Sequence, residues 1–171
     1  MFVLVFLAII IGFVLIALIG ATAPKVEHPD FTSGADHANL FELSADQLGR
    51  IVGLLISKMG LELDRASGGS GGEVEIYAIN PAPLTGGKIL VHCLPAPSED
   101  GKVNGLRVAQ FIRATRSAYV SKGLLFTTGD ITPDGRLEAE DSPVELFDRT
   151  QLAALIEEHI GELTPELLSE L

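Results

Sequence analysis

"KILVHCLP", residues 88–95, decides how this chain folds. Ile89, Val91 and Cys93 alternate with Leu90, His92 and Leu94, so a strand built from this stretch carries apolar side chains on both faces. A strand of that kind belongs inside a sheet covered on both sides, as in mixed or parallel α/β sheets. One residue breaks the pattern. His92 stands between two leucines on the second face, and it reads either as a buried histidine bonded to Tyr77 or a backbone carbonyl, or as the marker of a pocket.

The flanking sequence supplies the rest of an α/β domain. Upstream, "EVEIYAI" (73–79) alternates as a second strand, with Val74, Ile76 and Ala78 opposed to Glu75, Tyr77 and Ile79. "SGGSGGE" (67–73) reads as a turn and "LELDRA" (61–66) as a short strand with Leu61 and Leu63 inward. Before these, Ser44 and Gln47 form a capping box and Leu43 with Leu48 a hydrophobic staple. Leu48, Ile51, Val52, Leu55 and Met59 then make one apolar helical face, and Gly60 ends it. Downstream, a helix is predicted from Val103 to Lys122, with Leu106, Ala109, Ile112 and Val120 on one face and Gly123 as its stop. "LLFTT" (124–128) is a buried strand, "GDITPDGRLEAEDSP" (129–143) is irregular, and "VELF" (144–147) is another strand. A last helix begins near Thr150, with Leu152, Leu155, Ile156 and Ile160 inward. The predicted order is α-β-β-β-α-β-β-α: a mixed sheet flanked by helices.

Outside this domain, "MFVLVFLAIIIGFVLIALIG" (1–20) carries no charged side chain. As a helix it spans roughly 30 Å, the thickness of a bilayer's hydrocarbon core. It lacks a basic leading region and exceeds the apolar core of a signal peptide, so it reads as an uncleaved transmembrane anchor over residues 1–22. Residues 23–42 read as a linker, 43–160 as the folded domain and 161–171 as an acidic tail. His28, Asp30, Asp36 and His37 in the linker have no rigid element to gather them around a metal. Lys25 beyond the apolar run and the single cysteine, Cys93, both agree with a single-pass protein whose domain faces the cytoplasm.

The net charge of −11 is unevenly distributed. Residues 101–129 contain Lys102, Arg107, Arg113, Arg116 and Lys122 and no acid, whereas residues 130–171 contain twelve acids against Arg136 and Arg149. The overall field repels polyanions, so the basic band suits at most a weak contact with nucleic acid. Two short motifs fail on context. "GGSGG" (68–72) matches a nucleophile-elbow pattern around Ser70, but a strand follows where a helix is required. "TGGK" (85–88) lacks the first glycine and the Ser/Thr of a phosphate-binding loop.

Taken in order, the capped helix, short strand, Gly-rich turn into "EVEIYA", "KILVHCL", basic helix, "GLLFTTGDITPDG" and "VELFDRTQLAALIEE" resemble an Mrr-type restriction endonuclease domain of the PD-(D/E)xK nuclease superfamily, over about residues 43–160. The resemblance implies a restriction-endonuclease-like fold. It also implies an active site built from a "sGDGGiDvia" turn and a "vQCK" strand. Laid on this chain, the metal-binding aspartate falls on Glu75, the glutamine on His92 and the lysine on Leu94, while Cys93 is kept. The earlier aspartate of the turn falls on Gly71 or Gly72, and an acid of the first helix on Asp46 or Gln47, out of register.

These replacements predict a degenerate site at Glu75, His92 and Leu94. Mg²⁺ takes hard oxygen ligands, which Glu75 can offer and His92 cannot. The lysine serves the attacking water and the charge building on phosphate, and leucine does neither. Glu75 is therefore a metal ligand, and Mg²⁺ a cofactor, only if activity survives through a displaced cation such as Lys88 or an arginine of the second helix. The resemblance also makes Arg107, Arg113, Arg116 and Lys122 candidate DNA contacts. The expected function is a membrane-anchored, non-cleaving domain that binds DNA or acts as a scaffold for an unidentified protein partner. The alternatives are an active metal-dependent endonuclease with displaced groups and a protein-interaction domain with no nucleic-acid role.

Overall fold

A computed structural model describes residues 40, 43–68, 72–96 and 101–161. The expected anchor over 1–22, nearly all of the 23–42 linker, Ser70 and the acidic tail beyond Gly161 lie outside the described residues. Among the described residues no helix is long and apolar enough to cross a membrane.

The first helix, α1 (Ala45–Lys58), begins as its sequence requires. Ser44 accepts from the Gln47 amide, and the Gln47 side chain returns the bond to the Ser44 amide. Its end is set by Gly60, whose φ of +88° lets the Leu61 amide reach back to the Ile56 carbonyl at 2.9 Å. Strands β1 (Glu62–Gly68), β2 (Val74–Asn80) and β3 (Gly87–Leu94) form an antiparallel meander. The short β4 (Lys102–Val103) and helix α2 (Gly105–Ser117) then carry the chain over one face of the sheet to β5 (Lys122–Thr127), which pairs parallel with β3. Strand β6 (Asp130–Ile131) and helix α3 (Pro133–Ala139) make a second crossover to β7 (Val144–Phe147), parallel to β5. Helix α4 (Arg149–His159) closes the domain, with Asp148 and Gln151 as a second capping box.

The main sheet has the order β1-β2-β3-β5-β7, and β4 with β6 forms a small parallel pair. Parallel neighbours need a crossover, and both crossovers carry their helices to one face. Two cores result. Ile89, Val91 and Cys93 of β3 pack with α1 and α4 through Leu48, Ile51, Leu55, Leu152 and Ile156. Leu90 and Leu94 pack on the opposite face with Val103, Val108, Phe111, Ile112 and Leu125.

Several expectations are corrected. Met59 is 45% exposed, because α1 ends before it can turn inward; Ile56 takes the core position instead. Leu63 is 50% exposed, since β1 is an edge strand exposed along its length, with a register shift between Leu63 and Arg65. The second helix begins at Gly105 behind the Asn104 cap and ends at Ser117, so Lys122 and Gly123 belong to β5. Its buried side is Val108, Phe111, Ile112 and Thr115, while Leu106 is 63% exposed. The stretch expected to be irregular contains β6 and α3, with Thr132 as cap and Pro133 in the first turn. Leu40, assigned to the linker, is buried in the first core.

Two expected outcomes test this packing. A Cβ at Gly123 would lie 2.5 Å from Thr115 Oγ1 and 2.8 Å from Phe111 Cζ. Gly123→Ala should therefore cost about 1–3 kcal/mol in urea unfolding, as overpacking does. Burial pushes the Cys93 thiol up to about 12 from its ordinary 9.0. The unfolded chain releases that proton near pH 9 while the folded chain keeps it. Stability should therefore fall as pH rises from 9 towards 12, by about 1.4 kcal/mol per pH unit from this group, and Cys93→Ala should flatten that slope.

Candidate functional site

The second face of β2 and β3 gathers the residues that matter. Register places Glu75 opposite His92 and Tyr77 opposite Leu90, and alternation puts Glu73, Glu75, His92 and Leu94 on the same side of the sheet. The three predicted positions thus share one face. They do not share one character. Leu94 is 5% exposed and belongs to the apolar cluster with Val108, Phe111 and Leu125, so no cationic group stands at that position.

His92 is held by charges on both edges of its ring. Its Nε2 lies 2.9 Å from Glu73 Oε2, and its Nδ1 lies 3.9 Å from Glu75 Oε1. The second distance exceeds hydrogen-bond range, and Nδ1 is buried without a hydrogen-bond partner. The ring leans against Phe111, with centroids 5.5 Å apart and planes tilted by 52°. The expected bond to Tyr77 is not formed; that ring instead lies under Arg65, 4.1 Å from the guanidinium carbon.

Glu73 was not singled out by the sequence pattern, although it stands two residues before Glu75 and so on the same side of the strand. It is the hub of the site. Arg107, in the first turn of α2, pairs with Glu73 Oε1 while His92 addresses Oε2. Helix α2 can present Arg107 there because Asn104 caps it, accepting from the Arg107 amide at 3.2 Å.

The four basic residues expected at a DNA surface separate into three situations. Arg107 is committed to Glu73. Lys122, on β5, pairs with Glu145 of β7 at 2.7 Å. Arg113 and Arg116 are exposed on α2, and among the described residues neither forms an ion pair. Lys88, a possible displaced cation, is exposed on β3, four residues before His92.

The donor set does not suit Mg²⁺. That ion asks for carboxylate oxygens and waters in near-octahedral array. Here the imidazole stands between the two carboxylates, one at each ring nitrogen, and the Glu73 carboxylate is engaged by Arg107 as well. Among the described residues no group of three acidic, histidine or cysteine side chains is arranged to hold a metal.

Comparison with known proteins agrees on the architecture. The profile of the Mrr catalytic-domain family, described as restriction endonuclease, matches residues 40–156. A search of curated proteins finds no match. Among solved structures, the chain is similar to the DNA modification-dependent restriction endonuclease AspBHI, with a TM-score of 0.57 and 15% identity over 79% of this chain. It is also aligned with the MspJI restriction endonuclease in complex with a 27-mer oligonucleotide, with a TM-score of 0.46 and 21% identity over 80% of this chain. The alignments cover 38% and 32% of those proteins, so this chain spans well under half the length of either. At 15% identity the likeness to AspBHI bears on fold alone. The family profile spans more than half of the 171 residues, and the chain belongs to the Mrr-type restriction endonuclease family.

Proposed function

We propose that this chain is a non-cleaving member of its family, anchored in a membrane through residues 1–22, whose folded domain faces the cytoplasm and holds DNA weakly through α2. The observation that carries the loss of cleavage is Leu94. The resemblance puts a lysine at this position, and the leucine here is packed into an apolar core. Removing one preorganised electrostatic group costs about 10²–10³ in rate, before any loss from the metal site is counted. The engagement of Glu73 by His92 and Arg107 supports the same reading, because both oxygens of that carboxylate already meet nitrogen groups of the chain.

Arg107 reaches the pocket by pairing with Glu73, and it is the natural candidate for a displaced catalytic group in a working enzyme. It suits the part poorly. Guanidinium stays protonated at any ordinary pH and cannot draw a proton from water. The anchor rests on the apolar run of residues 1–20. Weak DNA contact rests on Arg113 and Arg116, exposed on the helix that overlies the pocket face. A purely protein-binding role predicts neither cleavage nor retention on DNA.

The full chain in detergent should leave supercoiled plasmid uncut with either Mg²⁺ or Mn²⁺. Nicking that disappears in Glu75→Ala would overturn the proposal. Retention on duplex DNA should weaken steeply with salt. Arg113→Gln with Arg116→Gln should lower the slope of log K against log[salt] by about 1–2, as expected for two lost phosphate contacts. Absence of retention would favour the protein-binding role, and retention indifferent to these changes would place the DNA contact away from Arg113 and Arg116.

A further inference from the structure

The carboxylate of Glu73 is treated as an anionic ligand would be. Two nitrogen groups from different elements close on its two oxygens: His92 Nε2 from β3 lies 2.9 Å from Oε2, and the Arg107 guanidinium from α2 donates to Oε1. The groups are far apart in sequence and are brought together only by the packing of α2 on the sheet. Arrangements of this kind fit carboxylate and phosphate alike, since both present a pair of oxygens to paired N–H groups. The first turn of a 13-residue helix adds positive potential from its own amides. Burial follows a gradient: the side chains of His92 and Glu73 are 12% and 16% exposed, and that of Arg107 is 47% exposed. The clamp therefore has a closed floor and a mouth open to solvent on the arginine side.

Nothing in the fold of β2 requires an acid at position 73. Glu73 precedes the first residue of the strand, and its backbone takes no part in the register with β3, which begins at Val74. Its role lies in its side chain. If that carboxylate rotates away, His92 and Arg107 are left on either side of the space its two oxygens filled. Glu75 then remains the acid beside the ring, 3.9 Å from Nδ1 on the opposite edge.

We propose that His92 and Arg107 form a phosphate-binding site and that Glu73 occupies it as an internal ligand, so that the chain's own carboxylate competes with an incoming phosphate group. The inference rests on the reading of this pocket as one that no longer assembles a cation. It assigns the surviving groups a different ligand: an oxyanion bound directly by nitrogen donors. A phosphate free in solution and a phosphodiester of nucleic acid share this chemistry.

The test follows the His92 ring by ¹H–¹⁵N NMR in the full chain in detergent, at fixed pH and with chloride matching the ionic strength. Inorganic phosphate and a short DNA duplex are titrated separately. In the wild type the His92 resonances should respond to neither at low millimolar concentration. In Glu73→Gly and Glu73→Gln they should move saturably, at phosphate concentrations lower by about ten-fold or more, because removal of an internal competitor raises the fraction of open sites. Adding Arg107→Gln to Glu73→Gly should abolish the response. A response to inorganic phosphate alone identifies a small-anion site; a response to duplex as well identifies a phosphodiester site.

Two results would overturn the proposal. One is a wild type that responds as strongly as the Glu73 variants. The other is a folded Glu73→Gly chain in which His92 responds to neither anion. If Glu73→Gly fails to fold, the nearly isosteric Glu73→Gln carries the test alone, and its silence overturns the proposal. Plasmid nicking by the wild type would sink the non-cleaving reading and leave this titration unaffected, so the two failures are distinguishable.

Discussion

The domain depends on β3 being enclosed on all four sides. Antiparallel β2 and parallel β5 satisfy its two hydrogen-bonding edges, and a helical layer covers each of its faces. A strand in that position has no freedom of register, because a slip by one residue would exchange every side chain between the two cores. Its two edges also differ in what they demand. The antiparallel side is joined by a short turn, whereas the parallel side needs α2 as a crossover. The helix that satisfies this topological need is the one that brings Arg107 to Glu73. The candidate site is thus a by-product of how the sheet is wired.

That wiring explains which parts of the structure were legible in the sequence. The strands at 73–79 and 88–95 alternate cleanly, and the Ser44–Gln47 capping box is a local device whose spacing can be read directly; the Asp148–Gln151 box has the same spacing and emerges only in the structure. The helix from Gly105 was harder. Its apolar residues do not form a clean stripe, and Thr115, buried against the sheet, hides among them by bonding the Phe111 carbonyl at 3.0 Å. The helix also stops without a glycine. Tyr119, with φ of +53°, takes the turn a glycine would usually take, so the glycine signal at Gly123 falls six residues beyond the true end at Ser117. The short helix from Pro133 lies among polar residues that read as a loop. Its Thr-Pro start was the one available signal, and it lacks an apolar run to support it.

The site was legible as a face and not as a network. Register and alternation suffice to place Glu75, His92 and Leu94 together, and the fold agrees. The importance of Glu73 depends on a helix that arrives thirty-odd residues later, which no local pattern encodes. The resemblance to an active family even directs attention away from it, since it fixes on positions where catalytic groups are expected. What distinguishes this chain is an acid that the resemblance did not single out, together with an apolar residue where a cation was expected.

One further feature bears on how the domain behaves in company. Among the described residues, strand β1 is an edge of the main sheet with no strand beyond it, a ready template for a neighbouring molecule. Three of its seven residues, Glu62, Asp64 and Arg65, carry charge, and the irregularity between Leu63 and Arg65 bends it out of the flat geometry that strand addition requires. Copies crowded at high density would thereby meet a charged and irregular edge at β1, a poor start for sheet-to-sheet growth.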